Sequence, residues 1–98
     1  MKTLILALSI AVTFTAQAED SKADACADIA RAAGSIMEYR QSGLEMATLY
    51  QTFSKQNNDF GIMVLKDAYE TPKFSSKRYK DDAIGKFKNK WFMACVSK

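Results

Sequence analysis

The stretch Cys26-Ala27-Asp28-Ile29-Ala30-Arg31-Ala32-Ala33-Gly34-Ser35-Ile36-Met37 decides how this chain folds. Its apolar residues recur at helical spacing. Cys26, Ala30, Ala33 and Met37 form one stripe with Ile29 and Ile36 alongside, and Asp24, Asp28, Arg31 and Ser35 take the opposite face. The period predicts an amphipathic helix from Lys22 to Gln41. A matching stripe stands near the other end, where Ala83, Ile84, Phe87, Trp91, Ala94 and Cys95 share one face of a helix predicted over Lys77 to Val96. Cys26 and Cys95 therefore both lie on stripes that face a core. A bond between them staples the first helix to the last, and period and cysteine placement agree.

The chain between these helices reads as two shorter ones. Ser42-Gly43-Leu44-Glu45 matches a capping box, with Ser42 accepting from first-turn amides and Glu45 reaching back. It opens a helix whose Met46, Leu49, Tyr50 and Phe53 fall on one buried stripe, and the polar Lys55-Gln56-Asn57-Asn58 ends it. Phe60 to Leu65 fits either a buried strand or a helix. With no second strand to pair with, its backbone groups are satisfied only as a helix, from about Asp59 to Glu70, stopped before Pro72. Lys73 to Ser76 is a connector, with Ser75 or Ser76 capping the last helix. The fold class expected is all-α: a small bundle of about four helices stapled by one disulfide between the first and last.

The first residues have another purpose. Lys2 gives a charged start, Leu4 to Phe14 carry no charge, and Ala16-Gln17-Ala18 presents small residues where a signal peptidase reads. A membrane anchor would need about 20 apolar residues, and Glu19-Asp20 follow too soon. The reading is a cleaved signal peptide over 1–18 and one domain over 19–98, placed in the periplasm or secreted. The 80 residues left carry thirteen basic and eleven acidic groups. So short a domain buries a thin core. In an oxidising compartment two cysteines read as one disulfide, and closing a loop of about 70 residues contributes up to ~4.4 kcal/mol in the chain-entropy model. The pair lacks the Cys-x-x-Cys spacing of a redox-active thiol.

Chemistry is sparse. Without histidine there is no Ser–His or Cys–His nucleophile, and the commonest nitrogen ligand for metals is missing. The neighbouring acids Glu19-Asp20 and Asp81-Asp82 do not face each other on a helix, and no loop offers converging metal ligands. No catalytic residue, cofactor or metal is expected. Charge is the uneven feature: residues 19–72 hold five basic and nine acidic groups, and residues 73–98 hold eight basic and two acidic. Lys77, Arg78, Lys86, Lys88 and Lys90 make a cationic helix face for phosphate, anionic lipid or an acidic protein. Against that stand a solvated helix back, with Lys86 paired to Asp82, and internal docking onto the acidic half. Arg40 and Gln41 end the first helix. Arg40 either grips a carboxylate or phosphate, or caps its own helix or pairs with Asp67 or Glu70.

Cys26, Ile36-Met37, Arg40-Gln41-x-Gly43, Ala68-Tyr69, Pro72, Ile84-x-x-Phe87-x-Asn89 and Cys95 together resemble a family of small uncharacterised exported proteins of Gram-negative bacteria and their phages. The resemblance spans almost the whole mature chain. It implies a shared helical fold and disulfide, brings no known activity, and makes Arg40, Gln41 and Gly43 the polar positions of interest. In size, export and single disulfide the chain is also similar to periplasmic acid-activated chaperones, which place their second cysteine mid-chain where Cys95 is nearly terminal.

The function expected is binding without catalysis: a module that engages another envelope protein and not nucleic acid. One alternative is an acid- or stress-responsive chaperone that loosens and exposes Met46, Phe53 and Met63. A further alternative is a cationic helix acting at anionic lipid surfaces.

Overall fold

The computed structural model describes the backbone of residues 2–98 and the side chains of residues 21–98. The signal peptide expected over residues 1–18 and the cut expected after Ala18 fall on residues whose side chains lie outside that description. Four helices follow in order: α1 (Lys2–Ser42), α2 (Met46–Lys55), α3 (Asp59–Tyr69) and α4 (Lys77–Val96). Among the described residues no strand forms, and no helix is long and apolar enough to cross a membrane.

The apolar stripe of α1 is buried as its period predicts, with Cys26, Ala30, Ala33, Ile36 and Met37 all shielded. Packed against it, α4 runs antiparallel, and its register is marked at three points. Cys26 is bonded to Cys95 with the Cα atoms 5.5 Å apart. Gly34 faces the Lys88 stem, and the Gln41 carbonyl accepts from Lys80 Nζ. Each step along α1 is matched by an equal step back along α4. At Gly34 a Cβ would stand 2.6 Å from Lys88 Cγ, so any side chain there displaces the Lys88 stem. The disulfide between first and last helices fits an oxidising, extracellular compartment.

The junction between α1 and α2 departs from the expected capping box. Ser42 belongs to α1, and α2 begins after Glu45 with no side-chain cap. Gly43 is the reason. Its φ of 89° and the bonds from Gly43 N to Arg40 O (3.1 Å) and from Leu44 N to Tyr39 O (3.0 Å) close α1 with a Schellman motif. A glycine that stops one helix outranks a serine that would start the next.

Between α2 and α3 the polar turn behaves as read. Asn57 takes a left-handed conformation and the Asn58 side chain accepts from Gly61 N at 2.9 Å. At the start of α4, Ser76 caps the helix by accepting from Tyr79 N. Two stripe positions are corrected. Tyr50 is exposed, because α2 buries only Leu49 fully, and Ala94 turns away from α1 beside the bonded Cys95.

The core joins Ala33, Ile36 and Met37 of α1, Leu49 of α2, Val64, Leu65 and Ala68 of α3, and Phe87 of α4. Val64, Leu65 and Ala68 have no exposed surface, so α3 is the central element. Trp91 extends the core through an edge contact with Phe60, their ring centres 5.7 Å apart.

Candidate functional site

Most polar groups singled out by sequence are placed where α1 ends and the α3–α4 connector crosses it. Gln41 continues the stripe of Cys26, Ala30, Ala33 and Met37, so it points inward, and it is only 2% exposed. Its amide clamps the connector: Nε2 donates to Pro72 O and Oε1 accepts from Phe74 N, both at 2.9 Å. A buried amide must be satisfied, and this one is. Gln41 is thus bound into the scaffold and presents nothing to a partner.

Arg40 is also committed, though not to the partners expected. Its Nε donates to Thr71 O at 2.9 Å and its guanidinium lies 5.0 Å from the Tyr69 ring centre. It neither caps its own helix nor pairs with Asp67 or Glu70, since the connector carbonyl is closer to hand. Burial pushes the Tyr69 phenol above its ordinary range, with the Arg40 charge pulling the other way. The Tyr69 hydroxyl donates to Leu44 O and so ties the end of α3 to the α1–α2 turn.

The cationic residues of α4 divide into those that dock internally and those on the outer rim. Lys80 covers the end of α1, where the helix dipole favours a cation. Lys88 lays its stem over Gly34. Lys77 pairs with Asp81 at 2.6 Å, and the hydrogen bond and charge of that carboxylate raise the Lys77 ammonium above its usual value. Lys86 pairs with Asp82 at 3.0 Å, as the i, i+4 spacing predicts. Lys90 reaches Asp67 on α3 at 2.8 Å. That carboxylate also accepts from Trp91 Nε1 at 3.0 Å. These pairs are exposed and screened by water, so they add little to stability. Among the described residues Arg78 has no ion-pair partner, so it projects from the first turn of α4 into solvent.

Next to this rim lies a groove of about 260 Å³ between α4 and the end of α3 with its connector. Its floor is Phe74, Ala83 and Phe87 with Met37 beneath, and its edges are Tyr79 and the ion pairs Lys86–Asp82 and Lys90–Asp67. Tyr79 leans on Phe74, ring centres 6.0 Å apart, yet stays 61% exposed. Sequence reading put Phe87 on the core stripe and gave Phe74, in the connector, and Tyr79 no place in a groove. It missed the groove because Gln41 swings the connector across α1 and leaves a gap beside Phe87. The signal was Gln41 itself, a polar residue standing at the next turn of an otherwise apolar stripe.

What the arrangement offers chemically is adhesion. A small apolar floor with charged edges suits one bulky side chain and its flanking polar groups. Among the described residues no group of three or more histidines, cysteines, aspartates or glutamates converges on a common point. Compared with protein-family models, with curated proteins and with solved structures, the chain has no match in any of the three.

Proposed function

We propose that this chain is a small exported module that binds another protein of the cell envelope and performs no catalysis. The observation that carries the reading is the groove beside Phe87, an apolar floor held open beside a connector to which Arg40 and Gln41 are bonded internally. The disulfide supports export, and the leader-like residues before Glu19 support cleavage after Ala18 and a periplasmic or secreted destination. The staple stiffens α4 against α1, so the groove is formed before a partner arrives and less ordering entropy is lost on binding.

The test is site-specific cross-linking in a Gram-negative host that exports the protein. A photoreactive residue replaces Tyr79 at the groove edge or, as a control, Asp28 on the outer face of α1. The expected result is a discrete protein adduct from position 79, absent from position 28 and lost with Ala83→Leu, which fills the floor. Equal adducts from both positions, or none from position 79, would overturn the reading.

A further inference from the structure

Helix α4 carries a second stripe, one that faces solvent. Tyr79, Asp82, Lys86, Asn89 and Met93 recur at steps of three and four residues, the spacing by which one helix packs on another, and all five are exposed. Its ends are the two most exposed large apolar side chains among the described residues, Tyr79 at 61% and Met93 at 63%. They lie about 21 Å apart along the helix. Asp82 stands three residues inside the first end and Lys90 three inside the second. Read in reverse, the stripe keeps its apolar ends and sets its acid against its base. Gly85 flanks it. Glycine in a helix is less stable than alanine, and nothing inside the domain requires it there, since an added Cβ meets no atom within 4 Å. A second backbone lying close from outside accounts for it.

We infer that α4 packs antiparallel against α4 of a second copy of this chain, about a two-fold axis at Lys86, whatever fills the groove. The contact is isologous: each Tyr79 meets the other copy's Met93, and each Asp82 the other copy's Lys90. Lys86 sits on the axis with its charge met by its own Asp82. A parallel pair would instead stack Asp82 on Asp82 and Lys90 on Lys90. Three further cations of α4 are held off the stripe, Lys77 on Asp81, Lys80 on the Gln41 carbonyl and Lys88 along Gly34. One helix per copy buries well under the roughly 1,600 Å² of a standard interface, so the dimer is weak, with a dissociation constant of about 10–500 µM.

The test is sedimentation equilibrium of the exported, oxidised protein from about 5 µM to about 1 mM, a range that brackets that constant. The average mass is expected to rise from monomer toward dimer across it. Tyr79→Lys and Met93→Glu each weaken association about tenfold or more, and neither unfolds the domain, because both side chains are exposed. An equal mixture of the two variants recovers a dimer. The new lysine of one then meets the new glutamate of the other, and the remaining Tyr79 meets the remaining Met93. Gly85→Gln raises the melting temperature and weakens association severalfold.

A chain still monomeric at about 1 mM would overturn the inference. So would association that ignores Tyr79→Lys or Met93→Glu, or a mixture that associates no better than its components. The purified sample holds no envelope partner, so these failures leave the binding module standing. Cross-linking at position 79 separates the two by mass: an adduct of twice the chain's mass is this dimer, and any other mass is an envelope partner.

Discussion

The α1–α4 pair and the α2 helix are held to the bundle by opposite means. Across its 20 residues α4 fully buries only Phe87, and Ile84, Trp91 and Cys95 are half-buried. Its contact with α1 runs the length of the pair, through Phe87 with Ile84 and Trp91 beside it, and is pinned at three points: a disulfide at one end, the Lys88 stem over Gly34 in the middle and Lys80 on the Gln41 carbonyl at the other. By contrast α2 has no covalent or ionic tie among the described residues. It sits on α3 through Leu49, with Met46 and Phe53 half-buried beside it. A basic helix that must keep its charges in water buries only a narrow apolar stripe, and the staple adds to the packing of that stripe on α1. A short helix with a single charge, Lys55, can rely on one buried leucine, and it is then the first element to open.

The largest expected effect follows from the first half of that comparison. Cys26→Ser with Cys95→Ser, or reduction, removes up to about 4.4 kcal/mol of loop-closure stabilisation. At 4–8 °C per kcal/mol for a domain of this size, the melting temperature measured by circular dichroism falls by up to about 18–35 °C. Amide exchange should rise first along α4 and leave α3 protected until global unfolding. A fall of only a few degrees would mean that the packing on α1 suffices and that the staple is redundant.

Two leucines test the other half. Leu65→Ala opens a cavity in the central helix and is expected to cost about 3–5 kcal/mol in urea denaturation. Leu49→Ala is expected to cost about 2 kcal/mol, because α2 can sink or fray into the space left behind. Equal costs would show that α2 folds as one unit with α3, and the contrast drawn above would fail.

How much of this was legible in residues has a physical pattern. The helices, the stapled pair, the Ser76 cap and the Asp82–Lys86 pair came from period and spacing, which are local and repeat. The order in which α1 and α4 meet followed from the cysteines alone. What was misread depended on competition at single positions. Gly43 stops α1 in preference to Ser42 starting α2, and Arg40 takes the Thr71 carbonyl over any carboxylate. The groove was invisible because it is a gap, made where Gln41 pulls Pro72 and Phe74 across the end of α1. No periodicity records the place where side chains fail to meet.

Gln41 also joins the two regions, and its loss sits between the effects above and the smallest. Gln41→Leu keeps the volume but leaves Phe74 N–H and Pro72 C=O without partners, at roughly 1–3 kcal/mol for a buried unsatisfied group. The Phe74 amide should lose its exchange protection while α3 keeps its own. A variant that melts like the native protein, with Phe74 still protected, would show that the connector holds itself.

The smallest effect has a sign that depends on its neighbour. In a helix interior alanine is favoured over glycine by about 1 kcal/mol, so Gly34→Ala would ordinarily stabilise α1. Here the new Cβ would stand 2.6 Å from Lys88 Cγ, and the Lys88 stem must leave its rotamer for it to fit. Gly34→Ala alone is therefore expected to destabilise, and the same change in a Lys88→Ala background to stabilise by up to about 1 kcal/mol. The double-mutant cycle reads this as a coupling between two residues that share no charge and no hydrogen bond. If the two changes add, α1 and α4 do not approach at Gly34. The disulfide would then be the main tie between the helices, and the loss on reduction should exceed the loop-closure value.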